Sequence, residues 1–280
     1  MIHYRLNSVR SLARFLEQHL ELAFACGFDP ETMPSYRTLL RRFKTLDNPV
    51  LQVAKKLLSK MVALGIVHTK ILVIDATPLR AKGNPPKGEK SIKPSDPEAR
   101  FGFQKHGKEV YFGYKLHLIC TTEPLVIPLA WQVTPANQQE VNFFIPLFRQ
   151  VMEFLPPTQE IVADASYDSR ALFHWAEEHL MRLTSPINKG NQDFSRLKPD
   201  RLKRHNWYKS KAGQKLYQRR TDIERLNGQT KDVFCIDPLP LVRLKRISTY
   251  INLVLLAYLT GIYYNHTNGR KLRAIKSLVA

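Results

Sequence analysis

A chain of 280 residues with 44% hydrophobic content is long enough to bury one large core, or one core plus a small domain, and its composition excludes wholesale disorder. Its 43 Lys and Arg against 24 Asp and Glu give a net charge of +19, which implies a polyanionic partner, nucleic acid first and an anionic membrane surface second. Cys26, Cys120 and Cys235 show neither CxxC nor Cys/His spacing, so they suggest no disulfide framework and no zinc site, and they read as buried thiols in a reducing compartment.

The N-terminus lacks the apolar core and cleavage site of a secretion signal, so the expected location is cytoplasmic. Residues 1–70 read as a small helical region, with helices over Val9–Ala25, Ser35–Phe43 and Asn48–Leu64. Ser35 and Asn48 are placed as caps. Arg37, Arg41, Arg42 and Lys44 make the second helix basic, and without a recognition-helix pattern they read as a solvated cationic face.

The period then changes. Ile71-Leu-Val-Ile forms a short buried strand that Pro78 ends just after Asp75, which puts an acid at the carboxyl end of a central strand. From Arg80 to Lys108 the periodicity is lost, and this basic stretch, with Lys82, Lys87, Lys90, Lys93, Arg100, Lys105 and Lys108, reads as an exposed, mobile loop. Val110–Cys120 and Pro124–Val133 are two strand-like runs split by a turn at Thr121 to Pro124. Lys115 and His117 alternate away from the apolar positions, and His117 reads as a hydrogen-bonded sheet residue.

Asn137 and Glu140 form a capping-box-like pair opening a helix to about Phe154. The strand Gln159–Ala163 again ends in an acid, Asp164, followed by a helix from Ser169 to Leu180 that Asp168 is placed to cap. That leaves Asp164 with no structural duty. Met181–Asn188 reads as one more strand, and Lys189–Gly213 as a second basic, aperiodic segment.

The stretch Tyr217–Lys231 reads as a single helix. At about 100° per residue, Tyr217, Arg220, Glu224 and Lys231 fall in an arc about 60° wide along roughly 21 Å of axis, so one carboxylate stands among cations and a phenol. Leu216, Ile223, Leu226, Val233 and Phe234 form the buried face. The last helix, Leu241–Tyr264, includes the membrane-like run Ile247–Tyr264, which reads as a buried core helix. Residues 266–280 form a basic tail.

Two strand-end acids and one helix acid suit a pair of Mg²⁺ ions, which take oxygen ligands and activate an attacking oxygen on a phosphodiester. The spacing of Tyr217, Arg220, Glu224 and Lys231 resembles the Y-x2-R-x3-E-x6-K signature of prokaryotic insertion-sequence transposases of the DDE type. Further similarity lies in Val73–Thr77, Asp96–Arg100, Phe112–His117, Val133–Asn137 and Ala163–Ser169.

The resemblance implies an α/β fold: a ribonuclease-H-like mixed sheet flanked by helices, over residues 71–265. It implies Asp75, Asp164 and Glu224 as the catalytic, metal-binding triad for two Mg²⁺ ions, with Mn²⁺ an alternative. Tyr217, Arg220, Lys231 and Lys115 are implied as DNA contacts. Arg220 and Lys231 have a competing role as ion-pair partners of Glu224 and Asp222 when DNA is absent. The implied partners are transposon terminal inverted repeats and target DNA, with no membrane and a homodimer when two ends are synapsed. A nuclease without strand transfer, or a non-catalytic DNA-binding relic, is the alternative. The segment from Ile187 to Glu224 is too short for the large β insertion of some relatives.

Overall fold

The computed structural model describes residues 2, 4, 6, 8–86, 94–104, 109–122, 124–188 and 197–278. Lys87, Lys90, Lys93, Lys105, Lys108 and part of the second basic segment lie outside the described residues. Six strands form one sheet in the order β2-β3-β1-β5-β6, with β4 also on β3: β1 Ile71–Arg80, β2 Arg100–Gln104, β3 Glu109–Thr121, β4 Pro128–Pro135, β5 Glu160–Val162 and β6 Arg182–Thr184. Pairing is antiparallel between β2 and β3 and parallel between β1, β5 and β6, so the sheet is mixed and flanked by helices, as expected of the α/β class.

The chain divides into two compact units, the first comprising residues 1–57, 79–114 and 229–280. It begins with α1 Val9–Gln18, α2 Leu20–Ala25, α3 Tyr36–Phe43 and the start of α4 Asp47–Ala63. Ser8 and Ser35 cap α1 and α3 by accepting from the amides of Ser11 at 3.0 Å and Thr38 at 3.3 Å, each satisfying an otherwise orphaned helix donor. The cationic residues of α3 are exposed, as expected. The first long helix breaks at His19, and α4 starts at Asp47, which leaves Asn48 inside its first turn rather than at its cap.

Within this unit the stretch expected to be a loop contains β2 and an ordered acidic turn. Asp96 is fully buried, accepting from the Tyr114 hydroxyl at 2.8 Å and the Arg243 amide at 3.0 Å. Glu98 accepts from the Leu244 amide at 2.7 Å. These two acids therefore cap α10, Leu244–Thr267, whose first amides have no partner in their own helix and whose dipole favours negative charge there. Gly113 admits β1 to β3 at close range, because a Cβ there would lie 2.1 Å from the Leu79 carbonyl oxygen.

Helix α10 is long and apolar enough to cross a membrane by length and composition, but Ile247, Ile251, Val254, Tyr258 and Ile262 are buried inside the protein. That matches a core helix. Of the cysteines only Cys120 is buried; Cys26 and Cys235 are exposed, which corrects the reading of all three as core thiols.

The second unit comprises residues 58–78 and 115–228. Pro78 does not end β1, which continues to Arg80. Its ladder with β5 runs only from Ile71 to Val73, so beyond that point a missing N–H on that edge costs nothing. Thr121 closes the turn after β3 by donating to the Leu125 carbonyl at 2.6 Å and accepting from the Ile127 amide at 2.8 Å. Helices α5 Phe144–Met152 and α6 Arg170–Glu178 bring together Phe144, Phe148 and Trp175, with Trp175 set edge-on at 5.8 Å from Phe144.

The described part of the second basic segment is helical, α7 Pro199–Lys209 and α8 Lys211–Tyr217. Its side chains serve as packing groups: Arg204 covers the Phe173 ring at 4.0 Å, and Trp207 lies under Arg182 of β6 at 3.8 Å. Gly213 permits the tight step between the two helices, where a Cβ would fall 2.1 Å from the Trp207 carbonyl oxygen.

Candidate active site

Asp75, Asp164, Arg220, Glu224, Lys115 and Tyr217 all belong to the second unit. Asp75 sits within β1, preceded by the fully buried run Leu72, Val73 and Ile74, so the core fixes its backbone. Asp164 follows β5, the parallel neighbour of β1, and the register Val73↔Val162 carries it level with Asp75.

Burial raises the Asp75 carboxyl to about 7; Arg220 pulls it down, while Asp164 and then Glu140 push it up. Two further carboxylates thus act on Asp75 in a partly desolvated place.

Asp164 has a local duty after all. Its side chain caps a 3-10 turn, Ala165–Tyr167, accepting from the Ser166 amide at 2.8 Å and from the Ser166 hydroxyl. Its carbonyl oxygen accepts from the Ser185 hydroxyl at 2.6 Å. Asp168, expected as a cap, instead accepts from the Asn188 amide at 3.0 Å and pairs with Arg201, while Ser169 takes the N-cap position of α6. Neither acid caps α6, because a short turn, which Asp164 caps, intervenes before it.

Glu140 also departs from its expected capping role. It opens a 3-10 turn, Glu140–Phe143, behind Gln139 rather than Asn137. Its carboxylate accepts from Lys115 Nζ at 3.0 Å and from the Ser166 hydroxyl at 2.6 Å. Lys115 Nζ also reaches the Gln138 carbonyl at 3.3 Å, so the side chain expected at DNA is held by protein acceptors.

The expected single helix Tyr217–Lys231 is two. Tyr217 ends α8, and α9 runs from Arg220 to Phe234, with Ile223 and Leu226 fully buried as expected but Leu216 only partly covered. The Arg219 amide bonds to Leu216 and the Asp222 amide to Arg219, a tight turn that takes Tyr217 off the α9 stripe. The Tyr217 ring meets Tyr208 edge-on at 5.1 Å. Burial raises its hydroxyl above the usual phenol range.

Arg220 joins the two halves of the site. Its guanidinium pairs with Glu224 one turn along α9 and lies 3.4 Å from Asp75 Oδ2. Burial favours loss of its proton, but Asp75 and Glu224 outweigh that and hold the guanidinium charged. Glu224, half exposed, is thus turned onto Arg220. Of the other ion pairs foreseen, Asp222 takes Arg225 at 3.0 Å, and Lys231, which belongs to the first unit, takes Asp237 at 3.5 Å.

These residues can be tested as a cation site. Among the described residues no group of three His, Cys, Asp or Glu is placed to hold a metal ion, and Glu224 pairs with Arg220. The remaining observations fit a hard cation. Asp75 and Asp164 offer oxygen donors, and no hydrogen bond reaches Asp164 Oδ2 among the described residues. The Arg220 guanidinium already serves as a stand-in positive charge between two carboxylates. Close by, the Tyr167 hydroxyl is buried without a partner among the described residues and senses Glu140, Asp75 and Asp164. Water brought in with an ion would satisfy that orphan group.

The missed members of the site, Glu140 and Ser166, carried only weak signals. Ser166 lies beside Asp164 in the Ala163–Ser169 similarity, and Glu140 stands three residues beyond Asn137, which masked it as a cap.

Comparison with known proteins adds the family. The chain is 26% identical over 220 residues to a protein of Halobacterium salinarum described as a probable transposase for insertion sequence element ISH11, in each of two strains. That alignment takes in 74% of this chain and 60% of the relative, so the chain spans less than two thirds of the length of the curated proteins it matches. Among solved structures it is similar to the piggyBac transposase synaptic complex with hairpin DNA, with a TM-score of 0.47, 10% identity, and coverage of 75% of this chain and 50% of that one. Similarity to the Mos1 strand transfer complex is lower, with a TM-score of 0.26, 11% identity, and coverage of 79% and 60%. The family described as Transposase DDE domain matches residues 68–260, well over half of the sequence, and the chain belongs to that family.

Proposed function

We propose that this protein is a transposase that cuts DNA at the terminal inverted repeats of an insertion sequence and transfers the freed strands into target DNA. The observation that carries this reading is the carboxylate cluster of Asp75 and Asp164 on adjacent parallel strands, tied to Glu224 through Arg220. Family membership supports it. The catalytic region is residues 71–265, preceded by the helical region 1–70 and followed by a basic tail, 266–280.

Asp75, Asp164 and Glu224 are the residues proposed to hold two Mg²⁺ ions, or Mn²⁺ in their place. Such a pair, when bound, activates the attacking oxygen and stabilises the leaving one in an in-line displacement. The chain's own contribution is positioning and charge. Arg220 neutralises Asp75 and Glu224 while DNA is absent; moving onto a phosphate, it releases Glu224 toward the other two acids. Lys231 meets a phosphate in the same way, and Tyr217 offers a ring on which an unpaired base stacks. Lys115 reaches DNA only by leaving Glu140. The protein acts in the cytoplasm on nucleoid DNA, and synapsis of two ends makes it a homodimer.

The test is a nicking and joining assay on DNA carrying the element's own ends. Wild type with Mg²⁺ is expected to nick and join, EDTA to stop both, and Asp75→Asn to lower the rate by about 10³-fold, the scale of losing a group that acts in the transition state. Activity of Asp75→Asn equal to wild type would sink the assignment. Cleavage without a joined product would identify a nuclease instead.

A further inference from the structure

The second unit contains a chain of contacts that the triad by itself does not need. Lys115 on β3 pairs with Glu140 Oε1 at 3.0 Å; the single proton of the Ser166 hydroxyl is shared between Glu140 Oε2, at 2.6 Å, and Asp164 Oδ1; and the Ser166 amide donates to Asp164 Oδ1 at 2.8 Å. Lys115 and Glu140 are largely covered, with side chains 15% and 18% exposed, so their pairing is not an incidental surface contact.

Each link has a physical consequence. The Ser166 amide, with a hydroxyl proton shared with Glu140, holds a single oxygen of Asp164, which sets the rotation of the carboxylate and leaves Oδ2 without a hydrogen bond among the described residues. A serine hydroxyl alone rotates freely; Glu140 gives it a second anchor. Glu140 in turn would be an uncompensated acid beside two others, and Lys115 supplies its counter-charge. The arrangement resembles the outer partners that orient the direct ligands of metal sites, where each ligand's remaining capacity is taken up by a hydrogen bond.

We infer that Glu140, acting through Ser166 and held by Lys115, is a positioning residue that orients Asp164 to present Oδ2 to a divalent cation. This rests on the proposed metal-binding role of Asp75 and Asp164, and it gives Lys115 a role inside the protein that competes with direct DNA contact.

The test is direct binding of Mn²⁺ to the full chain without DNA, read from the loss of the free-ion electron paramagnetic resonance signal and by calorimetry. Thermal melts of each variant check the fold. Ser166→Ala and Glu140→Ala are expected to weaken Mn²⁺ binding by about tenfold or more, the usual scale for removing an orienting partner. Because both act along one path, the double variant is expected to lose little more than either single one. Ser166→Thr keeps the hydroxyl and is expected to bind near the wild-type level, which a merely structural role for the position would not predict.

Asp75→Ala separates the inference from the reading beneath it. If Asp75→Ala loses Mn²⁺ while folded Ser166→Ala and Glu140→Ala both bind like wild type, the positioning role is overturned and the metal site stands. Should Asp75→Ala bind Mn²⁺ like wild type, the metal site falls and the positioning role falls with it.

Discussion

His117 is expected to make the protein's stability fall with acid in a way that one substitution removes. It is fully buried on β3, with Nε2 at 2.8 Å from Thr134 Oγ1 and its ring stacked on Phe143 at 4.3 Å. Its Nδ1 has no hydrogen-bond partner among the described residues, so an imidazolium would bury an unsatisfied N–H. Burial, helped by Lys115, lowers its pKa from 6.5 to about 3.

The folded state therefore resists a proton that the unfolded chain accepts. The stability that depends on neutral His117 is fully present above pH 6.5 and is lost as pH falls from 6.5 toward 3. At about 1.36 kcal/mol per unit, the loss reaches about 5 kcal/mol at the acid end and about 2 kcal/mol between pH 7 and pH 5. Urea unfolding of wild type and His117→Gln at pH 7, 6 and 5 measures it. The stability difference between the two proteins should shift by about 2 kcal/mol across that range, against wild type at the lower pH. A difference that stays constant refutes the buried neutral imidazole. Because Phe143 ends the turn that Glu140 opens, acid should also loosen the support of the site.

Arg220→Met leaves Asp75 buried without its cation, and at pH 9, where the wild-type carboxyl at about 7 is ionised, the metal-free protein should lose up to about 3 kcal/mol of unfolding free energy, with a smaller loss at pH 6, where Asp75 holds a proton. Chemical denaturation in EDTA measures this, and an unchanged midpoint would mean that the pair contributes nothing. Asp96→Ala strips partners from the Tyr114 hydroxyl and the Arg243 amide, and thermal melts should show a loss of about 2–4 kcal/mol. Loss of Glu98 in addition should fray the start of α10, seen as faster amide exchange there. Gly113→Ala forces a Cβ against the Leu79 carbonyl, so the backbone must move and stability should drop by about 2 kcal/mol or more in urea.

Local chemistry was readable at several positions whose partners lie a few residues away, though the cap that Asp164 makes to Ser166 was not. Ser35 announces its cap, Ile223 and Leu226 announce the buried side of α9, and Arg220 and Glu224 meet because four residues make about one helical turn. The acids after the apolar runs of β1 and β5 were equally plain. Helices α7 and α8 were not, because their cations are used on Phe173, Asp168 and other partners outside the segment, so no apolar stripe marks the sequence. Strand β2 was hidden by the charged, aperiodic stretch around it.

By itself, then, the sequence of this protein determined that Asp75 and Asp164 follow two apolar strand runs and that Glu224 lies on a helix with cations spaced around it. Only the tertiary structure decided what each acid does without a ligand. Arg220 reaches Asp75 across 145 positions, Lys115 reaches Glu140 across 25, and Ser166 joins Glu140 across 26. Periodicity reports only neighbours along one element, whereas the pairing of charges depends on which elements the sheet brings together.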